Sequence, residues 1–336
     1  MATTDEPIDR HARSARSPSE LTATAWKDVA VRVWRGFNHD RVTLIGAGAA
    51  FYALLALVPA LGAFVAIYGL VFDPTSVVTQ VDTLSGLLAP EVRTILADQL
   101  QRLTTERAAS LGTAFAISLG LSLWSASAGT KAVMDGLNVV YDEEEKRGFL
   151  GYNATALVLT AAGLLGVIAM LGVTVVLPVV LSRIFGWSGG GFVQPASYAA
   201  LLTLVWAGLL AIYRWGPSRD EAEWRWLRPG TFVAAALIIV FSALFSWFAR
   251  TFAGYASYGS LGAIIAFMTW TWACMVIVLL GAEINAETEH QTAEDSTVGP
   301  PRARGQRGAT MADTVGEVSG DTAGQRDRRR DFPPAD

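Results

Sequence analysis

Apolar residues in this chain gather in six long blocks separated by short polar stretches. A helix that crosses hydrocarbon needs about 20 mainly apolar residues. Val42–Phe72, Leu111–Val140, Tyr152–Phe185, Pro195–Tyr213, Pro229–Phe252 and Tyr258–Ile284 meet that length. A membrane β-barrel would instead alternate apolar and polar positions in segments of about ten residues. No such alternation recurs here, so the pattern predicts an all-α polytopic membrane protein with six transmembrane helices. Several blocks exceed the minimum, which predicts tilt, kinks or ends that emerge from the bilayer. Pro59 in the first block and Pro178 in the third each remove a helix hydrogen bond and are expected to kink their spans.

The connections and ends carry their own patterns. Between the first two blocks, Val77, Val81, Leu84 and Leu88 recur at helical spacing, and a weaker stripe of Val92, Ile95, Leu96, Gln99 and Leu103 follows Pro90. This predicts two short amphipathic helices in the first external loop, on or capping that face. Residues 1–20 and 288–336 are polar and low in aromatics, and both are expected to be disordered tails. Residues 21–287 then form the six-span membrane domain, self-sufficient for folding. Basic residues favour the cytoplasmic side of short flanking loops. Lys27, Arg32, Arg35 and Arg41 precede the first span, Lys146 and Arg147 sit in the second loop, and Arg214, Arg219, Arg225 and Arg228 in the fourth. Both termini are therefore expected in the cytoplasm, with Asp73–Ser110 external. The N-terminus lacks an apolar core segment, so no cleaved signal peptide is predicted.

Composition narrows the function. Of 336 residues, 52% are hydrophobic and 17% charged, too apolar for one ordinary soluble domain. A net charge of −4 excludes a generally basic nucleic-acid binder. The one cysteine, Cys274, permits neither an intrachain disulfide nor a cysteine metal site. His11, His39 and His290 lie outside the apolar blocks and far apart. There is no phosphate-binding GxxxxGK[ST], no HExxH and no paired CxxC. No catalytic residue, metal site or cofactor is expected.

The second block is chemically unusual. Ser127, Lys131, Asp135 and Asn138 fall on one helical face, and Ser118, Ser122, Ser125 and Gly129 on the opposite one. Ionisable residues within a span are costly and generally face the bundle or a wet pathway. A helix small or polar on two faces is expected at the centre of the bundle. Lys131 and Asp135, four residues apart, are expected to pair. Glu283 and Asn285, at the inner end of the last span, could join the same cluster, as pathway or as interhelical packing. Gly46, Ala49, Ala53, Ala56, Ala60 and Ala63 line one face of the first span, where small residues let another helix approach closely.

Three stretches together carry a resemblance: AAFYALLALVPALGAFVAIYGL, LWSASAGTKAVMDGLNVVYDEEEKRGF, and the long run from LRPGTFVAA through YGSLG to LLGAEINAE. In that order, over about Trp34 to Glu287, the chain resembles the YihY/virulence factor BrkB family of bacterial inner-membrane proteins. The resemblance implies six spans and a multi-pass place in the bacterial plasma membrane. It brings no settled activity: the label ribonuclease BN that members have carried looks misapplied, and movement of lipids or other amphiphiles has been suggested for some. Many members have an arginine soon after LWSAS, where this chain has Ala128, so that residue's role does not transfer. Three readings stay open: a translocator of lipid or another amphiphile, a non-transporting scaffold, and, less favoured, a ribonuclease or other hydrolase. The bilayer is the expected partner, with a homo-oligomer allowed and nucleic acid excluded.

Overall fold

Long apolar runs leave a backbone in lipid one way to satisfy its polar groups, and the chain takes it throughout. The computed structural model describes residue 9 and residues 11–71, 113–185, 190–251 and 260–318. Within them run α1 (Ala23–His39), α2 (Val42–Val71), α3 (Thr113–Val140), α4 (Phe149–Phe185), α5 (Gly190–Trp215), α6 (Trp224–Thr251), α7 (Ser260–Glu289) and the single turn α8 (Thr310–Asp313). The only extended pairing among the described residues is an isolated antiparallel bridge between Ala222 and Thr297. The two amphipathic helices expected in the first loop lie outside the described residues. Pro59 and Pro178 both fall inside continuous helix.

Five helices, α2, α4, α5, α6 and α7, are long and apolar enough to cross a membrane. The expected sixth span, α3, is long but falls short in hydropathy, because serine, glycine, Lys131 and Asp135 dilute its apolar residues. It packs along one side and leaves Ile117, Leu121, Trp124 and Val139 exposed on the other. α3 packs most extensively on α2 and also touches α4 and α7. The small-residue stripes make this possible: Ala49, Ala56 and Ala63 of α2 are buried, and a Cβ on Gly129 would stand 3.4 Å from the Ala53 backbone. A Cβ on Gly136 would come within 2.9 Å of Ile45 and 3.1 Å of Leu279. Large apolar side chains such as Val158, Phe232, Leu244 and Trp247 remain exposed on the outer faces, as lipid contact requires.

α6 and α7 make the closest crossing. A Cβ on Gly230 would meet the Gly281 carbonyl, and one on Gly281 would meet the Gly230 carbonyl at 2.8 Å, so two backbones touch where neither residue has a side chain. Asn285 accepts a hydrogen bond from the Gly230 N–H at 2.8 Å and fixes the register. The main buried core, including Leu137, Tyr141, Tyr213, Leu227, Leu279 and Ala286, gathers at this end of the bundle.

That end is capped. α1 is amphipathic, with the Thr22 hydroxyl capping its N-terminus through the Ala25 N–H, Val29 and Val33 buried, and Trp26 and Trp34 exposed. The connections after α3 and α5 join it, and so do residues 11–21 and 290–318. Here the structure corrects the expectation of disordered tails beginning at Thr288 and ending at Glu20. Arg13 donates to the Gln291 and Gly316 carbonyls, and the Ala293 N–H donates to the Arg13 carbonyl. Arg307, buried, donates to the carbonyls of Ala293, Glu294 and Ala312. The physical reason is that this segment orders by satisfying charge and backbone rather than by burying apolar area. Residues 1–8 and 319–336 lie outside the described residues.

Candidate functional site: a polar groove between α2, α3 and α4

α3 turns one face to α2, through Gly129 and Gly136, and leaves the adjoining face to a cavity of about 450 Å³. Ile45, Gly48, Ala49 and Tyr52 of α2, Lys131, Asp135 and Val139 of α3, and Tyr152 of α4 line it. The walls are largely aliphatic, with two charged and two phenolic groups set into them. The Lys131 ammonium lies 4.5 Å from the centroid of the Trp124 ring, a cation–π contact one turn along the same helix. Asp135 is exposed and accepts a hydrogen bond from the Tyr152 hydroxyl at 2.8 Å. The expected Lys131–Asp135 ion pair is not formed: the lysine turns toward Trp124 and the aspartate toward Tyr152. Each has a partner on its own side, which leaves the space between them open.

Depth follows from helical rise. At about 1.5 Å per residue, Asp135 lies roughly 8 Å and Lys131 roughly 14 Å from the α3 end at Val140. The groove thus runs along the half of α3 that leads to the capped end.

The remaining sequence-predicted residues are placed elsewhere. Ser127 is fully buried and spends its hydroxyl on the Trp124 carbonyl at 2.6 Å. Asn138 ties two connections together, accepting from the Ser218 N–H at 2.7 Å and donating to Glu145 at 3.0 Å. Asn285 holds α6, and Glu283 faces α1 beside a separate cavity. Of the six, only Lys131 and Asp135 share the groove.

Sequence reasoning missed Tyr52 and Tyr152, whose signal was a polar-tipped aromatic inside an apolar run. It also missed the ion pairs of the cap. Arg219 grips Glu289 with two bonds, 2.8 and 2.6 Å, with both side chains nearly fully buried. Arg32 reaches Glu287 at 2.5 Å and Gln291 at 2.7 Å. Burial opposes the Arg219 charge, but Glu289 outweighs it and holds the guanidinium protonated. No local spacing signals pairs so far apart in sequence. Among the described residues no group of three or more His, Cys, Asp or Glu is placed to hold a metal.

Among the described residues, five helices apolar enough to cross a membrane, packed with a more polar one and closed at one end by a charged cap, define a membrane-embedded multi-helix protein. The chain matches the family described as Virulence factor BrkB over residues 33–306, and it belongs to that family. The match runs past the last long helix into the cap. A curated relative, the ribonuclease-like protein YfkH of Bacillus subtilis (strain 168), is 34% identical over 189 residues, which cover 51% of this chain. The chain spans 64% of that relative's length. No solved structure matches the chain.

Proposed function

We propose that the protein is a translocator of lipid or another amphiphilic solute, using the groove between α2, α3 and α4. The observation that supports this reading is that Lys131 and Asp135 face one cavity without pairing with each other. Charged side chains within a membrane helix are costly and generally face a bundle interior or a wet pathway. Two charged groups beside aliphatic walls suit a solute with a polar head and an apolar body. A second hollow of about 750 Å³ has the same mixed character, with Lys146 and Arg147 close to Val158 and Leu159 of α4. The basic flanks support a reading in which the capped end and both termini face the cytoplasm of a bacterial cell.

Purified full-length protein in liposomes carrying fluorescent phospholipid tests this. Quenching by a membrane-impermeant reductant should go beyond the outer leaflet faster than in empty liposomes. Lys131→Ala and Asp135→Asn should each slow it about tenfold, the effect of losing roughly 1.4 kcal/mol of head-group interaction. Rates equal to empty liposomes for anionic, zwitterionic and single-chain lipids alike would remove the reading.

A further inference from the structure

We propose that Glu283 and Asp40 form a proton-binding carboxyl pair, reached from solvent through His39. The site sits in the cap and stands apart from the groove, so it holds whether or not the protein moves lipid. Glu283, on α7, is 2% exposed, and its Oε1 has no hydrogen-bond partner. Asp40, at the C-terminal end of α1, lines the same cavity as Glu283. Two ionised carboxylates brought together repel, whereas one shared proton joins them in an O–H···O bond. α1 approaches closely here: a Cβ at Gly36 would stand 2.8 Å from Glu283 Oε2, so any larger residue would have to push the carboxyl aside.

Exposure falls stepwise along the route. The His39 side chain is 89% exposed, and its Nδ1 lies 2.8 Å from Asp40 Oδ1, whose side chain is 18% exposed. Glu283 is buried behind it. Imidazole is the side chain that trades protons with water near neutral pH, which suits His39 to the outer position.

The other charged groups around the cavity, of about 560 Å³, are engaged or outside. Arg32 is committed to Glu287 and Gln291, and to the backbone carbonyl of Glu317. His290 meets Thr314 at 3.0 Å, with its other nitrogen 3.4 Å from Glu287. Arg35 and Asp142 line the cavity but are exposed. No lysine or arginine is ion-paired with Glu283 among the described residues. A metal ion would demand several more ligands, and no suitable group is placed for one. A proton needs only these two carboxyls. Its loss sets two negative charges against each other and loosens α1 from α7.

Infrared difference spectroscopy of the full-length protein in nanodiscs, titrated across about pH 5 to 9, reads protonated carboxyl groups directly. Wild type should keep about one more protonated carboxyl per chain at about pH 7 than Glu283→Gln does. Asp40→Asn should move the pH at which that band disappears, and His39→Ala should slow its exchange after a pH jump about tenfold while leaving its equilibrium unchanged. A folded Glu283→Gln protein with an undiminished band overturns the pair, as does a wild-type protein with no protonated carboxyl at neutral pH. If Glu283→Gln does not fold, an unchanged titration in Asp40→Asn overturns it instead. An unchanged exchange rate in His39→Ala overturns the route.

Discussion

The Arg219–Glu289 pair offers the sharpest test of the cap, because it joins the α5–α6 connection to the end of α7. The two side chains are 2% and 1% exposed, and two charge-assisted bonds link them. Ser296 adds a third donor to Glu289, and the Tyr141 ring lies 5.1 Å under the guanidinium. Arg219→Met keeps most of the volume but leaves Glu289 with the serine alone. Breaking one side of a buried pair costs about 3–5 kcal/mol, since a charge stays buried without its partner. Water can reach the edge of the cap and relieve part of this, so about 3 kcal/mol is expected. At about 1.4 kcal/mol per decade, the open cap becomes roughly a hundredfold more populated. Limited proteolysis reads that population when opening is fast relative to cleavage. Arg307 is a trypsin site buried at 5% exposure, so its cleavage should accelerate about a hundredfold in the variant, while cleavage at the exposed Arg304 changes little. Arg219→Met with Glu289→Gln should recover most of the protection, because no unpaired charge remains. Less than about a threefold change in Arg307 cleavage in the single variant would refute a folded, charge-locked cap.

Three further outcomes follow from the same packing. Ending the chain at Glu287 removes Glu289, Gln291 and Thr292 and leaves Arg219, Arg32 and the Ala15 carbonyl without them, so apparent melting in detergent should fall by several degrees; an unchanged melt would return the segment to the status of a tail. Gly230→Ala places a methyl against the Gly281 carbonyl and should cost about 1–3 kcal/mol or more, seen as lost monodispersity or a lower melting temperature in size-exclusion and thermal assays. Burial raises the Glu145 carboxyl, but hydrogen bonds from the Arg147 side chain and backbone and from Asn138 outweigh it and hold it down to about 2, against 4.5 for the free group. A depressed folded value means its stabilisation is full above 4.5 and is lost as pH falls toward 2, so the melting temperature of Glu145→Gln should depend less on pH across that window.

The six helices were readable because an apolar block must be helical in lipid, and each predicted block contains the core of one observed helix. Their ends were less readable. α7 runs on to Glu289 although its apolar run stops at Ile284, since the last turn continues into the cap rather than into water. The cap was misread for a definite reason. The rule that polar, aromatic-poor segments stay disordered weighs ordering entropy against apolar burial alone. Residues 290–318 order by a different route, through Arg307 on three carbonyls and Thr292 on the Ala15 carbonyl. Those partners are identifiable only once Arg13 and Gln291 are known to be neighbours.

α3 is the case where a local conflict in the sequence showed in the packing. Its two small or polar faces led to the expectation of a helix at the centre of the bundle; it packs on α2, α4 and α7 but leaves Ile117, Leu121 and Trp124 exposed. Lys131 and Asp135 on its polar face were expected to pair, as part of a pathway or of interhelical packing. Helical spacing permits that pair, but spacing says nothing of competitors. Trp124, one turn before Lys131, and Tyr152 on α4 each offer a partner that keeps the charge near the groove wall. An aromatic face and a phenol hydroxyl hold the two charges apart without neutralising either. An internal ion pair would offer a passing head group little, since its charges already satisfy each other. Separated charges on a helix too polar for lipid are costly to keep in a membrane unless something of matching polarity visits them. That cost is the physical ground on which we propose the groove as a pathway rather than a seam between helices.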